Sequence, residues 1–314
     1  MEYIVFQIDG GAGKNVIATS VARSINLKWP DKKIIILTAH PEVWMCNPRV
    51  YRVMQTGNSP YFYEDFIKDK ETLILAQEPY RQSDCIYRRK HLSQVWCEMY
   101  GLEWSGELPE LYFTPSETQF VSNLINKNRP ILVMQPFGGA SNNKYSWARD
   151  IPPSLAQRIV DEHRNEFRII QIKREDQILL NGAEPLTTSQ RIAFMTLLLS
   201  DKRILMDSMM QHAAAALNLP SYVFWIGNSP ATFGYQIHKN IVTNFEMGTL
   251  RHSLYDPFDI SGDPIQLMTP PDLLFDTTSI INYLKEVPSQ NIMPQEKISE
   301  PEPPKKEVQK KTKK

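Results

Sequence analysis

"MDSMMQHAAAALNLPSYVFWIGNSP", residues 206 to 230, holds the transition that decides the fold. An apolar run ends at Asp207, Ser208 stands at an N-cap position, and an alanine-rich helix starts near Met210. Pro220 stops that helix, and a second apolar run closes at Gly227. Strand, tight turn, helix and strand in this order form the unit from which parallel sheets are built. Backbone N–H groups at the start of such a helix point at a common spot, where the helix dipole favours an anion. Ser208 can add a hydroxyl donor, and His212 lies one turn further in. A plainer reading stands beside this one: Ser208 only caps the helix, and His212 is a satisfied histidine of core or surface.

The same alternation runs through the rest of the chain. Apolar runs at 3–8, 33–39 and 72–76 lie in the first part, and runs at 131–137, 168–173, 203–207 and 221–227 in the second. Helical patterns separate them, at 12–28 with Val16, Ala18, Val21, Ala22 and Ile25 on one side, and at about 152–166, 187–200 and 210–218. Two successive α/β units predict two Rossmann-like domains, 1–128 and 129–271. A helix at 272–287, capped by Asp276, follows and is expected to pack back on the first domain. The segment 41–68 is rich in proline, asparagine and aromatic residues without a clean period, and reads as long loops. Residues 288–314 are dominated by lysine, proline and glutamate, a composition that does not bury a core and predicts disorder.

The charges are balanced over the 314 residues, but six lysines and one glutamate in the last ten give that end +5, leaving the other 304 at about −5. A nucleic-acid surface is therefore not expected on the body of the protein. Cys46, Cys85 and Cys97 form no C-x-x-C pair and read as reduced, buried thiols. No apolar run approaches the roughly 20 residues that span a bilayer. The chain enters a strand at once, with no basic region ahead of an apolar stretch, which points to the cytoplasm. The basic tail is the one segment suited to contact with anionic lipid, although a solvated tail without a role reads equally from it.

A glycine turn opens the chain. "IDGGAGKN", residues 8–15, joins the first strand to the first helix and invites a test as a triphosphate loop. That loop needs G-x-x-x-x-G-K-[ST]. Ile8 stands where the first glycine belongs, and Asn15 replaces the hydroxyl that would hold magnesium. A dinucleotide G-x-G-x-x-G also fails, because Val16 occupies its third glycine position. The glycines then serve close backbone approach.

The segment from Asp207 resembles glycosyltransferase family nine, the lipopolysaccharide heptosyltransferase-like enzymes of GT-B fold. Their second domain carries D-[ST]-G-x-x-H-x-A-A-A-x-x-x-P, and Asp207, Ser208, His212, Ala214, Ala215, Ala216 and Pro220 match it without a gap. Met209 departs from it, where the family has glycine. "QPFGGASNNKYSWARD" similarly supplies Gly139, Ser141, Lys144 and Trp147 of a G-x-S…K-x-W-P pattern, with one extra residue between lysine and tryptophan. The family's first loop, G-G-x-G-D-x-x-x-A-T-P, meets Gly10, Gly11, Gly13, Ala18 and Thr19, with Lys14 in place of the aspartate. The likeness covers roughly residues 3–25 and 131–230.

The resemblance implies two Rossmann-type domains facing a cleft. It implies a nucleotide-diphosphate sugar as donor, a glycan or glycolipid as acceptor, and no metal or other cofactor. Donor contacts would come from Gly139, Ser141, Lys144, Glu175, Asp207, Ser208, Met209, His212 and Gly227. The acceptor-side loop would be Gly10, Gly11, Gly13 and Thr19. With lysine at the aspartate position, Asp9 is the nearest carboxylate for the acceptor proton and Lys14 becomes an electrostatic clamp; Asp9 can equally cap the glycine turn. "NSPYFYEDF" (58–66) and "YRRKH" (87–91) offer aromatic and charged contacts for an acceptor. A sugar-nucleotide epimerase, a degenerate binding protein and a phosphate-loop enzyme are the rival classes.

Overall fold

The computed structural model describes residues 1–138, 149–243 and 274–275. The first sheet has four parallel strands in the order β3-β2-β1-β4, formed by β1 (Tyr3–Ile8), β2 (Lys33–Thr38), β3 (Val50–Gln55) and β4 (Thr72–Leu75). The second has six, in the order β10-β9-β8-β5-β6-β7. These are β5 (Ile131–Met134), β6 (Arg168–Ile172), β7 (Glu184–Leu186), β8 (Lys202–Met206), β9 (Tyr222–Trp225) and β10 (Lys239–Val242), again all parallel. The helices of the first half are α1 (Ala12–Lys28), α2 (Phe62–Phe66), α3 (Ser83–Ile86), α4 (Leu92–Met99) and α5 (Pro115–Ile125). Those of the second are α6 (Pro153–His163), α7 (Gln190–Leu199), α8 (Met209–Ala216) and α9 (Pro230–Phe233).

Strand alternation sorts the side chains into layers. Ile4, Phe6 and Ile8 of β1 face one cluster, and Tyr3 and Val5 face another on the outer side of the first sheet. In β5, Ile131 and Val133 join the first cluster, whereas Leu132 and Met134 join a third beneath α6. The first cluster is shared by both halves. It runs from Phe6, Ile17 and Trp96 to Phe194, Met210, Ala213 and Trp225. Helix α1 lies in the middle of it, with Val16, Ala18, Val21, Ala22 and Ile25 fully buried, and packs against both α4 and α8.

Two expectations are corrected. The segment 41–68 contains a strand, β3, that pairs in parallel with β2. Its exposed Tyr51, Arg52 and Gln55 hide the apolar period, as befits a strand at a sheet edge. Cys46 is exposed, whereas Cys85 and Cys97 are buried and burial pushes each thiol up to about 11. The helix expected at 272–287, the tail at 288–314 and the end of the second domain beyond residue 243 lie outside the described residues, apart from Leu274 and Phe275. These two pack on the third cluster, with the Phe275 ring 4.9 Å from Phe224. Among the described residues no helix is long and apolar enough to cross a membrane.

A buried arginine ties the halves together behind the core. Arg191, at the start of α7, donates to the Tyr112 carbonyl at 2.8 Å, to the Glu42 carbonyl at 3.1 Å and to both carboxylate oxygens of Glu117. Its backbone N–H reaches the Glu42 carboxylate at 3.1 Å. The guanidinium holds the Glu117 carboxyl at about 2. Arg191→Met leaves Glu117 and two carbonyls without their donor, and about 2–3 kcal/mol of stability should be lost because a buried pair is broken from one side. The urea midpoint of Arg191→Met against the parent checks this.

Candidate functional site

Each sheet changes winding direction once. In the first, the chain proceeds outward from β1 to β3 and then places β4 on the other side of β1. In the second, β8 lies beside β5 on the side opposite β6. In open α/β sheets, ligands bind outside the carboxyl ends of strands at such points. Residues 9–11 and 76–78 flank the first, and residues 135–138 and 207–208 flank the second. The two points face each other, because α1 starts from one and α8 from the other, and their first turns touch.

Gly13 is the point of contact. A Cβ built there lies 3.1 Å from the His212 ring and 3.4 Å from the Met209 Cα, so a larger residue fits only if the ring gives by a few tenths of an ångström. Gly10 has φ +99°, a backbone state that costs other residues strain, and Gly11 occupies the N-cap of α1. Neither the Gly11 nor the Ser208 N-cap provides a side-chain hydrogen bond, and neither first turn carries an acidic residue. Two helix starts without a side-chain cap therefore converge here.

The other sequence candidates divide. Asp207 is buried, with its carboxylate accepting from the Asn228 amide and its carbonyl from Arg149. Ser208 is buried at the α8 start, and Met209 follows it, packed against the shared core. Gly227 is buried, and its carbonyl accepts from the Arg88 guanidinium at 3.3 Å, a bond between the halves. Glu175 lies exposed beyond β6. Asp9 is exposed at the end of β1, where the Gln7 amide donates to its oxygens at 3.2 and 3.3 Å. Gly139, Ser141 and Lys144 lie outside the described residues.

Three expectations change in detail. Thr19 is not part of the loop: it sits inside α1, its hydroxyl donating to the Val16 carbonyl and accepting from the Glu110 N–H, both at 2.7 Å. His212 is buried against Gly13, with Nδ1 2.9 Å from the Tyr235 hydroxyl. Burial first, then the neighbouring His91, His238 and Arg149, hold it well below its ordinary pKa, so the ring is neutral and supplies no positive charge. Lys14 does not reach outward as a clamp. It is 6% exposed, with Nζ 2.6 Å from Glu78 Oε2 and 5.0 and 5.2 Å from the centres of the Tyr80 and Trp96 rings. A cation in the first turn of a helix opposes the dipole, and Glu78 offsets that. Asn15, in the next position, is a structural tie: Oδ1 accepts from Thr38 and from Trp44 Nε1 at 2.6 and 3.1 Å.

The segments 58–66 and 87–91, expected to meet an acceptor, divide in the structure, and one residue at the junction, Glu78, went unread in the sequence. Arg88 has φ +56°, is half-buried, and among the described residues pairs with no carboxylate; burial lowers its pKa. Its segment, 87–91, carried a visible charge signal, but the structure aims Arg88 at the second half and buries His91 against Tyr235, with ring centres 5.3 Å apart. Glu78 gave no signal, since it is 64 residues from its partner Lys14. Of the aromatic segment 58–66, Tyr61 and Tyr63 are exposed, and Phe66 packs on Tyr3 on the outer face of the first sheet. Among the described residues no group of three His, Cys, Asp or Glu side chains is placed to hold a metal ion.

Two parallel sheets, each presenting its switch point to the other, define a GT-B-type architecture. The chain has the fold seen in glycosyltransferase family nine. A family nine glycosyltransferase from Veillonella parvula superposes with a TM-score of 0.58 at 11% identity, covering 79% of this chain and 89% of that one. The ADP-heptose lipopolysaccharide heptosyltransferase II of E. coli gives 0.58 at 14%, covering 78% and 92%. The E. coli heptosyltransferase WaaC with ADP gives 0.53 at 10%, covering 76% and 92%. No family model and no curated protein sequence matches the chain.

Two measurements test this junction. Gly13→Ala must move the His212 ring or part the helices, and should cost about 1–3 kcal/mol in thermal or urea unfolding. Burial also lowers His91 and His238 to about 4. Between pH 6.5 and 4 the unfolded chain binds protons that the folded chain refuses, so stability is full above 6.5 and falls as pH drops through this window. The loss should be on the order of 3 kcal/mol per histidine, and His238→Gln should flatten urea midpoints measured from pH 7.5 to 4.5.

Proposed function

We propose that this protein moves a sugar from a nucleotide-diphosphate donor to a hydroxyl of a glycan or glycolipid acceptor, without a metal ion or other cofactor. The observation that carries the reading is the meeting of two uncapped helix starts at Gly13 and Met209, together with a half-buried Arg88 that reaches the Gly227 carbonyl of the second half and has no carboxylate partner among the described residues. Transfer requires that negative charge growing on the departing diphosphate be stabilised. Helix N–H groups, the Ser208 hydroxyl and the Arg88 guanidinium are donors suited to that charge. The fold agrees, since enzymes of this architecture include heptosyltransferases described with ADP. An ADP-linked sugar is therefore the first donor to test.

On this reading the second half holds the donor, with Asp207 shaping the turn before Ser208. Gly139, Ser141, Lys144, Glu175 and Gly227 complete the donor side by resemblance. His212 serves as a neutral hydrogen-bonding ring in the junction. The first half, with Gly10 and Gly11 at its lip, holds the acceptor. A cytoplasmic location and contact of the basic tail with anionic lipid belong to the same proposal.

ADP and an ADP-linked sugar should each raise the melting temperature of the full chain, with the same shift in magnesium and in chelator. Arg88→Gln should weaken that binding at least about tenfold, the scale of a charge-assisted hydrogen bond. A panel of nucleoside diphosphates that produces no shift overturns the proposal.

A further inference from the structure

Resting on the transferase reading above, we propose that Glu78 is the catalytic residue that takes the acceptor proton, and that Lys14 is its positioning residue. Two carboxylates stand at the switch point of the first sheet, Asp9 after β1 and Glu78 after β4. The register Phe6↔Leu75 carries the two chains out of the sheet side by side. Their surroundings differ. Asp9 is exposed, and the bonds to its carboxylate come from Gln7 on its own strand. Glu78 is held from two sides: Oε2 accepts from Lys14 at 2.6 Å, and Oε1 from the Tyr80 N–H at 3.1 Å. A proton acceptor must keep one geometry through the transfer, and two bonds to separate oxygens provide it.

Glu78 also lies where the halves meet. Lys14 follows Gly13, which touches His212 and Met209, and the Tyr80 ring is 6.0 Å from Phe233 of the second half. The lysine side chain is 4% exposed while that of Glu78 is 32% exposed. The buried cation thus holds a carboxylate that stays partly open to solvent.

The step balances. The acceptor O–H gives its proton to the Glu78 carboxylate as the acceptor oxygen bonds to the anomeric carbon of the sugar. The bond from that carbon to the diphosphate oxygen breaks, and its electron pair leaves with the nucleoside diphosphate. Glu78 then returns its proton to solvent.

The test uses the full chain, an ADP-linked sugar and water as the acceptor hydroxyl, with ADP release as the readout. Glu78→Gln should lower kcat at least about 100-fold, the usual worth of a positioned base, and leave the donor KM and the ADP-induced thermal shift within about twofold of the parent's values. Asp9→Asn should stay within about threefold of the parent in kcat. Lys14→Met should lose kcat with KM retained, and Lys14→Arg should recover part of it. Glu78→Gln with parental kcat, or Asp9→Asn with the large loss, overturns the assignment and leaves the transferase reading standing. A Glu78→Gln protein that has lost its ADP-induced shift overturns it too, because Glu78 then serves the structure. A parent chain that binds ADP and releases none from the sugar donor overturns both.

Discussion

The packing of α1 against α8 through Gly13 is the constraint on which the rest of the molecule depends. The first turns approach closely because glycine on one side leaves room for the Met209 backbone and the His212 ring on the other. Two α/β halves would otherwise keep separate cores. Here Ile17, Val21, Met210, Ala213 and Ala214 share one cluster, so the position of each sheet is set by the other. The switch points of both sheets face the same gap for that reason alone. Arg191 secures the arrangement from the far side, where its donors replace water for Glu42, Tyr112 and Glu117.

Close packing also changes the chemistry of the residues it covers. His212 has the place of an active-site histidine in the sequence, but the junction seals it with Tyr235 and Gly13 and keeps it neutral. Lys14 looks like a phosphate hook, and the same junction turns it inward to Glu78 and two aromatic rings. What the junction leaves without a side-chain cap are the main-chain N–H groups at the two helix starts. A helix end carries its charge without needing a long side chain to be ordered, which suits a site where backbones already meet.

Much of the architecture was legible in the chain. The seven apolar runs read as strands are strands, because a buried strand must be apolar along its length. Three edge strands escaped: β3, β7 and β10 are largely exposed or too short to show a period, whereas the edge strand β4 was legible. The glycine turn was correctly separated from a triphosphate loop, and Asn15, the residue that broke the motif, proves to be a tie to Thr38 and Trp44. Helix α1 was legible as a helix, but its contacts on several sides were not, since polar residues such as Asn15, Thr19, Ser20 and Ser24 are buried in it too.

The sequence by itself determined the kind and order of the buried strands and the main helices, and the turns at 9–11 and 207–208 that precede two of those helices, since all of these rest on short-range periodicity and backbone freedom. Tertiary structure alone decided which charges meet. Glu78 reaches Lys14 from 64 residues away, and Arg88 reaches Gly227 across the two halves from 139 away. Pairings of that separation have no local signature, because they follow from how two sheets are stacked. Whether a lysine is a free clamp or half of an ion pair is settled by its neighbours in space.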